Sequence, residues 1–325
     1  MANGYTEHYG LCQWAAEDSF LREEFNQDNA KIDRALHQAF RRGSRADYHL
    51  CNLLLQNDYE GKYTGFKRAL LFDGFLDGEG IASRTGFHLG QNALTLSSVG
   101  QSSITLPEGP GSATPLSTPQ LTMTGCGRIT GFQYYLYADI NLSGQGELRY
   151  VLTVNGETRS SGATYPDVPP KDVKEARTLT LPEPVEVCPE DVCVLRLEAR
   201  TSGLRMKKGE NDTLCGVMQI QPAGAESGSM TARAVDLPEA AGAAGWVRCR
   251  GGVPGLALRK GDQTLTFAAG QAISAKEPLE GTACTETPFT LDAALEAGGW
   301  QVVLTGALAE GENRLDVFDY GVVLY

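Results

Sequence analysis

The feature that most constrains the fold of this 325-residue chain is an alternation of side chains with a period of two in its middle third. A large apolar residue stands at every second position from 148 to 154, and Asn155-Gly156 follows directly. A period of two is that of a strand with one buried face, and Asn-Gly favours a two-residue hairpin turn. The pattern therefore predicts antiparallel β structure.

Similar short strands, separated by turn residues, recur over most of the chain after residue 87. Short strands without long helical patterns between them indicate antiparallel sandwiches. The segment 221–229 is rich in Gly, Ser and Ala and resembles a linker. We predict a mainly β chain with N-terminal helices and two jelly-roll-like β-sandwich domains, at residues 87–222 and 223–325. A helical, turn-rich neck is predicted at 45–86.

The segment 17–42 predicts a helix whose apolar stripe is narrow. A narrow stripe with one polar residue suits a short coiled coil, because a buried Asn can fix the register. An ordinary amphipathic helix that packs on its own chain is the alternative. The predicted self-association core consists of Leu21, Phe25, Asn29, Ile32 and Leu36.

Charge and motifs exclude several classes of function. The net charge of −12 argues against binding of nucleic acid or of an anionic membrane. No histidine follows His88, which excludes a Ser-His-Asp or Cys-His site built within the last 237 residues. Hydrolase, P-loop, zinc-protease and dinucleotide motifs are missing, so we predict no catalytic residues, no cofactor and no metal. A pair of catalytic carboxylates is the enzymatic alternative, since sequence spacing cannot exclude it.

Targeting and cysteine signals indicate synthesis in a reducing cytoplasm. The first residues show no positive region or apolar run of a signal peptide, and no segment is long and apolar enough to span a membrane. The eight scattered cysteines are expected to be buried free thiols. A disulfide between Cys188 and Cys193 is the alternative.

The aromatic run from 132 to 137 is the best candidate for ligand binding. On a strand, Gln133, Tyr135 and Tyr137 face one way while their neighbours face the other. Aromatic side chains can stack on sugar rings, so we predict glycan contacts here. Packing under a loop or against another subunit is the alternative. Trp246 and Trp300 are further candidates, with a place in the core as the alternative.

The N-terminal segment resembles the amino terminus of tail-fibre proteins of phages and prophages of Gram-positive bacteria. Shorter stretches near residues 52–57, 61–65 and 71–75, and the last seven residues, are also similar to this group. The motif that carries the resemblance reads Gln13-Trp14-x-x-x-Asp18, then Phe20-Leu21-Arg22-Glu23-Glu24-Phe25-Asn26-x-Asp28-Asn29-x-Lys31-Ile32-Asp33.

The resemblance implies a non-enzymatic virion protein, usually a homotrimer, located in the tail. Its N-terminus would attach to a baseplate or tail-tip protein, and its β domains would contact a bacterial cell-surface glycan. The short aromatic lead would make the attachment, through Tyr5, Tyr9, Leu11 and Trp14. A structural baseplate adaptor without receptor binding, a glycan-degrading tailspike and a cellular carbohydrate-binding module are the alternatives.

Overall fold

The computed structural model describes residues 4–6, 11–15, 22, 25–29, 31–32, 35–36 and 69–325. These residues are mainly β, and every pairing between the strands is antiparallel. The strands are β1 Gly4–Tyr5, β2 Cys12–Gln13, β3 Ala69–Asp73, β4 Ile81–Thr85, β5 His88–Leu89, β6 Leu94–Ser97, β7 Ile104–Leu106, β8 Glu108–Ala113, β9 Leu116–Ser117, β10 Leu121–Thr122, β11 Gly127–Ala138, β12 Leu148–Val154, β13 Glu157–Thr164, β14 Lys174–Val187, β15 Val192–Ala199, β16 Leu204–Gly209, β17 Gly216–Pro222, β18 Ser227–Ala232, β19 Val235–Leu237, β20 Ala243–Arg250, β21 Gly252–Lys260, β22 Gln263–Thr266, β23 Ala268–Ala269, β24 Ile273–Lys276, β25 Ala283–Leu291, β26 Gly298–Leu308 and β27 Arg314–Leu324.

The chain divides into two compact units, and the first contains the N-terminal residues together with 276–283. Its strands β1 and β2 form a small antiparallel pair. All described residues between 22 and 36 are helical. Residues 45–68 of the predicted helical, turn-rich neck lie outside the described residues. None of the helices among the described residues is long and apolar enough to cross a membrane.

The second unit contains two pairs of sheets, and each pair encloses one hydrophobic core. Sandwich A spans residues 104–222. One of its sheets has the order β10-β15-β12-β13 with β9 beside β15, and the other has the order β7-β17-β11-β16-β8 with β14 beside β11. Burial alternates along β11 and β12, as the sequence predicts, because one face of each strand packs into the shared core.

Sandwich B is built from two separate parts of the chain, residues 69–97 and 227–324. Its smaller sheet has the order β22-β21-β26-β18-β4, with β19 beside β26. Its larger sheet has the order β23-β25-β20-β27-β6-β5, with β24 beside β25 and β3 beside β27. Sandwich A is therefore inserted into sandwich B, between strands β6 and β18.

The strand pairing disagrees with the predicted boundary between the neck, which was expected to end at residue 86, and the first sandwich, which was expected to begin at residue 87. Residues 69–73 and 81–85 belong to strands of sandwich B rather than to a helical neck. Local turn-rich composition gave no signal for this, because the partners of these strands lie more than 140 residues away in the chain.

Candidate functional site

The outward face of β11 carries the predicted glycan-binding residues of sandwich A. Gln133, Tyr135 and Tyr137 are half-buried, while Phe132 and Tyr134 are buried in the core. At about 3.3 Å per residue, the outward side chains extend over roughly 13 Å. We call Gln133, Tyr135 and Tyr137 the tyrosine strip.

Charged groups from neighbouring segments surround the tyrosine strip. The ammonium group of Lys174 lies 4.6 Å from the centre of the Tyr135 ring and pairs with Glu108 at 2.7 Å. The Tyr137 hydroxyl donates a hydrogen bond of 2.7 Å to Asp172. This bond and the negative charge of the carboxylate raise the pKa of Tyr137. Both rings are thereby held in place, which lowers the entropy that they lose when a ligand binds.

This outward face combines apolar ring surface with polar groups that can exchange hydrogen bonds. The two rings present apolar area, while Gln133, Asp172 and Lys174 supply donors and acceptors for hydroxyl groups. On β14, Ala176 lies directly opposite Tyr135, so a small side chain leaves room beside the ring. The geometry therefore favours binding.

The prediction that Trp246 and Trp300 bind sugar is wrong, because both side chains are buried. Trp246 is 0% exposed, and its indole N–H donates to Asp319 at 2.9 Å. Trp300 is 1% exposed, and its indole N–H donates to the carbonyl oxygen of Glu296 at 2.8 Å. A ring without accessible surface cannot stack on a sugar, so the core alternative holds for both residues.

Trp246 belongs to a buried charge cluster in sandwich B. Arg248 lies 2.8 Å from Asp319 and 3.0 Å from Glu286, and it is 2% exposed. Burial raises the pKa of Asp319 to about 6, although Arg248 and the Trp246 indole oppose this rise. The cluster has no route for a ligand, since Asp319 itself is fully buried. Its role is structural.

Two of the short stretches that resemble tail-fibre proteins pair with each other in the larger sheet of sandwich B. β3 lies beside the end of β27, with Phe72 opposite Gly321 and Asp73 opposite Tyr320. A Cβ atom at Gly321 would lie 2.1 Å from the Trp246 ring, so only glycine fits there. These two stretches therefore contribute to the packing of sandwich B.

A cleft that sequence analysis missed lies where the two sandwiches meet. It has a volume of about 480 Å³. Glu186 of sandwich A lies 2.7 Å from Arg84 of sandwich B and 3.7 Å from Arg128. The other residues that line the cleft come from distant segments of the chain, so no local sequence motif could have revealed the cleft. They include Leu89, Arg159, Ser160, Ser161, Pro182, Glu183, Pro184 and Val185.

His88 is buried beside this cleft, and its Nδ1 lies 3.8 Å from Glu186. Burial lowers its pKa, although Glu186 acts in the opposite direction. A neutral imidazole at ordinary pH is the consequence. The other three histidines of the chain, His8, His37 and His49, lie outside the described residues.

The predicted self-association residues are only partly described. Ile32 is 41% exposed and Leu36 is 65% exposed, and Phe25 and Asn29 are also exposed. Leu21 lies outside the described residues. Spacings of four, three and four residues place the four described positions on one helical face.

The aromatic lead forms a small hairpin in the same unit. The amide of Thr6 donates to the carbonyl of Leu11, and the Leu11 amide donates back to the Thr6 hydroxyl. Leu11 and Trp14 are half-buried. Tyr5 lies in β1, whereas Tyr9 lies outside the described residues.

The motif residue Asp28 connects this hairpin to the helix. Its carboxylate accepts hydrogen bonds from the Cys12 amide at 2.7 Å and from Lys31 at 3.1 Å. Burial raises the pKa of Asp28, but these two partners outweigh it and the pKa is lowered. Asp28 and Lys31 of the motif therefore have a structural role, because their bonds join the helix to the hairpin.

Cys126, Cys188, Cys193, Cys215 and Cys249 are free thiols. Cys193 is buried among the core residues of sandwich A, and burial raises its pKa to about 12. Cys188 lies beyond the last residue of β14 and is not bonded to Cys193. The free-thiol expectation therefore agrees with the structure for these residues.

Comparisons with known proteins do not assign a family. No protein-family model matches the chain, and no curated protein matches it. Solved structures align only distantly. The VP2 subviral particle of infectious bursal disease virus aligns at 8% identity and a TM-score of 0.18, over 75% of this chain and 42% of that one. A Parabacteroides distasonis protein described as secreted aligns at 9% identity and a TM-score of 0.21, over 79% and 99%.

A Paenibacillus cycloisomaltooligosaccharide glucanotransferase aligns at 10% identity and a TM-score of 0.18, over 74% of this chain and 45% of that one. The chain spans less than half the length of the viral protein and of the transferase. TM-scores of this size do not show a common fold.

Proposed function

We propose that this chain is a phage tail-fibre or receptor-binding protein that contacts a bacterial cell-surface glycan through sandwich A. The observation that carries the proposal is the tyrosine strip, an outward row of side chains with two rings held by Lys174 and Asp172. The N-terminal resemblance supplies the setting, a phage tail. In this proposal the N-terminal hairpin attaches to a baseplate or tail-tip protein.

The test of glycan binding uses purified wall polysaccharide from Gram-positive bacteria and the full chain, measured by titration calorimetry. Replacing both rings, by Tyr135→Ala with Tyr137→Ala, is expected to weaken binding at least tenfold, because stacking area is lost. Tyr165→Ala is the matched control, since Tyr165 is 57% exposed on another segment of the same sandwich. Equal affinity of the native chain and the double variant would contradict the proposal.

We also propose that three copies associate through the helix, with Leu21, Phe25, Asn29, Ile32 and Leu36 in the seam. The exposure of Ile32 and Leu36 on one face supports this, because burial of such side chains stabilises association by about 1.5–3 kcal/mol each. The occupant of this face is a second and a third copy of the same helix.

Mass measurement in solution tests the trimer. Ile32→Asp or Leu36→Asp is expected to dissociate the assembly, since a charge in an apolar seam is not compensated. Gln27→Asp is the control, because Gln27 is exposed and lies on the opposite side of the helix. A native chain that is monomeric at micromolar concentration would contradict the trimer.

Two further measurements test the alternative functions, a structural baseplate adaptor and a glycan-degrading tailspike. Assembled particles that carry the double tyrosine variant and still adsorb normally would favour an adaptor. Release of reducing ends from wall polysaccharide would favour a tailspike. Deletion of residues 223–325 does not discriminate between them, because it removes most strands of sandwich B, including the partners of β3 and β4.

A further inference from the structure

Cys126 and Cys188 occupy opposite positions at the end of one strand pair. In the register of β11 and β14, Gly127 lies opposite Val187 and Arg128 lies opposite Glu186. Continued by one step, this register brings Cys126 beside Cys188. Opposite residues of antiparallel strands have Cα atoms about 4.5–5.5 Å apart, within the range of about 4.4–6.8 Å that a disulfide bridges.

The two thiols also point to the same side of the sheet. Alternation places both cysteines on the face that carries Arg128 and Glu186, opposite to the core-facing Val187. Both are nevertheless buried, because this end of the sheet adjoins sandwich B. The neighbouring Cys126 side chain, together with burial, raises the pKa of Cys188.

Two other buried cysteines have no cysteine opposite them. Cys193 lies opposite Val154 and Leu121, and Cys249 lies opposite Thr285 and Val317. The positions of Cys126 and Cys188 therefore differ from those of Cys193 and Cys249.

Cys126 is also hydrogen-bonded to both segments that connect the two sandwiches. Its amide donates to the carbonyl of Val99 at 3.0 Å. Its carbonyl accepts from the amides of Gln101 at 2.8 Å and Ala223 at 3.0 Å. Both connections between the sandwiches, entering near 100 and leaving near 223, are thus bonded to Cys126. A covalent bond to Cys188 would fix the end of β14 to both connections.

We propose that Cys126 and Cys188 are a latent disulfide site that closes in an oxidising medium and fixes the junction of the sandwiches. The oxidant is a low-molecular-weight disulfide such as oxidised glutathione. One protein thiolate attacks it and releases one small thiol, and the second protein thiolate then displaces the other. The S–S bond of the oxidant breaks, that of the protein forms, and the two thiol protons pass to the two small thiols released.

Burial makes this reaction depend on local opening, since the thiolate is the nucleophile and the thiols are shielded. The reduced form is accordingly expected during synthesis in a reducing compartment. The disulfide closes a loop of about sixty residues, which is expected to raise the unfolding temperature on the order of 10 °C.

The test incubates the full chain with oxidised glutathione in urea below the unfolding transition, and maps thiols by alkylation and mass spectrometry. We expect one linked peptide pair containing Cys126 and Cys188, and a higher unfolding temperature that dithiothreitol reverses. Cys193→Ser is the matched control and should link in the same way, whereas Cys188→Ser should not. Complete alkylation of both residues after incubation, or links formed with other cysteines, would overturn the proposal.

Discussion

The tyrosine strip of sandwich A and the charge cluster of sandwich B contain similar side chains in opposite environments. Each combines aromatic rings with a cation and carboxylates. In the strip these groups are half-exposed and can accept a ligand, whereas Trp246 and Arg248 are shielded from solvent. The difference teaches that residue type alone does not identify a binding site. Access to solvent decides which of the two groups can take part in recognition.

The largest expected effect is the loss of stability when the buried charge cluster of sandwich B loses its cation. Arg248→Leu leaves Asp319 and Glu286 buried without their cation, which should cost about 3–5 kcal/mol. Arg149→Leu is the control, because its pair with Glu147 is exposed and should contribute little to stability. Urea unfolding followed by tryptophan fluorescence measures both. Equal midpoints for the two variants would show that the cluster does not stabilise sandwich B.

A second variant tests the packing around Trp246. Gly321→Ala places a Cβ atom 2.1 Å from the ring, so the strand or the ring must move, at a cost of about 1–3 kcal/mol or more. Gly299→Ala is the control, since its nearest neighbour would lie at an ordinary contact distance of 3.6 Å. Thermal unfolding of both variants checks this. A Gly321→Ala protein as stable as the control would contradict the packing described.

The pH dependence of stability gives a third test of the cluster. Because the pKa of folded Asp319 is raised from 3.8 to about 6, its protonation stabilises the fold at low pH, and this contribution is lost as the pH rises through 6. Lowering the pH from 7 to 5 should therefore raise the free energy of unfolding by about 1.4 kcal/mol. Asp319→Asn should lack it. The same pH dependence in the native chain and the variant would refute the assignment.

The smallest effect compares two tyrosines on opposite faces of β11. The Tyr134 hydroxyl is buried without a hydrogen-bond partner among the described residues, so Tyr134→Phe should stabilise the chain by about 1 kcal/mol. Tyr137→Phe loses an exposed hydrogen bond to Asp172 and should change stability less than Tyr134→Phe does. Urea midpoints measure both. A destabilised Tyr134→Phe protein would indicate a partner for that hydroxyl.

The sequence predicted the parts of this comparison that depend on local periodicity. Alternation assigned Tyr134 to the core and Tyr135 to the outward face, because β11 has one face in the core and the other outside. It could not assign Trp246, since seven of the eight residues of β20 are buried and no alternation remains. In such a strand, only the tertiary partners decide which side chains reach solvent.

Long-range pairing was also beyond the sequence pattern. The partnership of β3 with β27 joins residues near 70 to residues near 322, and the cleft at Glu186 depends on Arg84 from the same early segment. Turn residues near 74–80 predicted loops and left these pairings undetermined. Hydrophobic patterning specifies which face of a strand is buried, but not which distant strand lies beside it.

The central claim is that the tyrosine strip, rather than sandwich B, contacts the glycan. Hydroxyl-radical footprinting of the full chain, with and without saturating wall polysaccharide, tests it most directly by mass spectrometry. We predict that oxidation of Tyr135 and Tyr137 falls by more than half, while Tyr165 is unchanged and the buried Trp246 and Trp300 stay unlabelled in both states. Unchanged oxidation of the two strip tyrosines, with protection confined to sandwich B, would contradict the account.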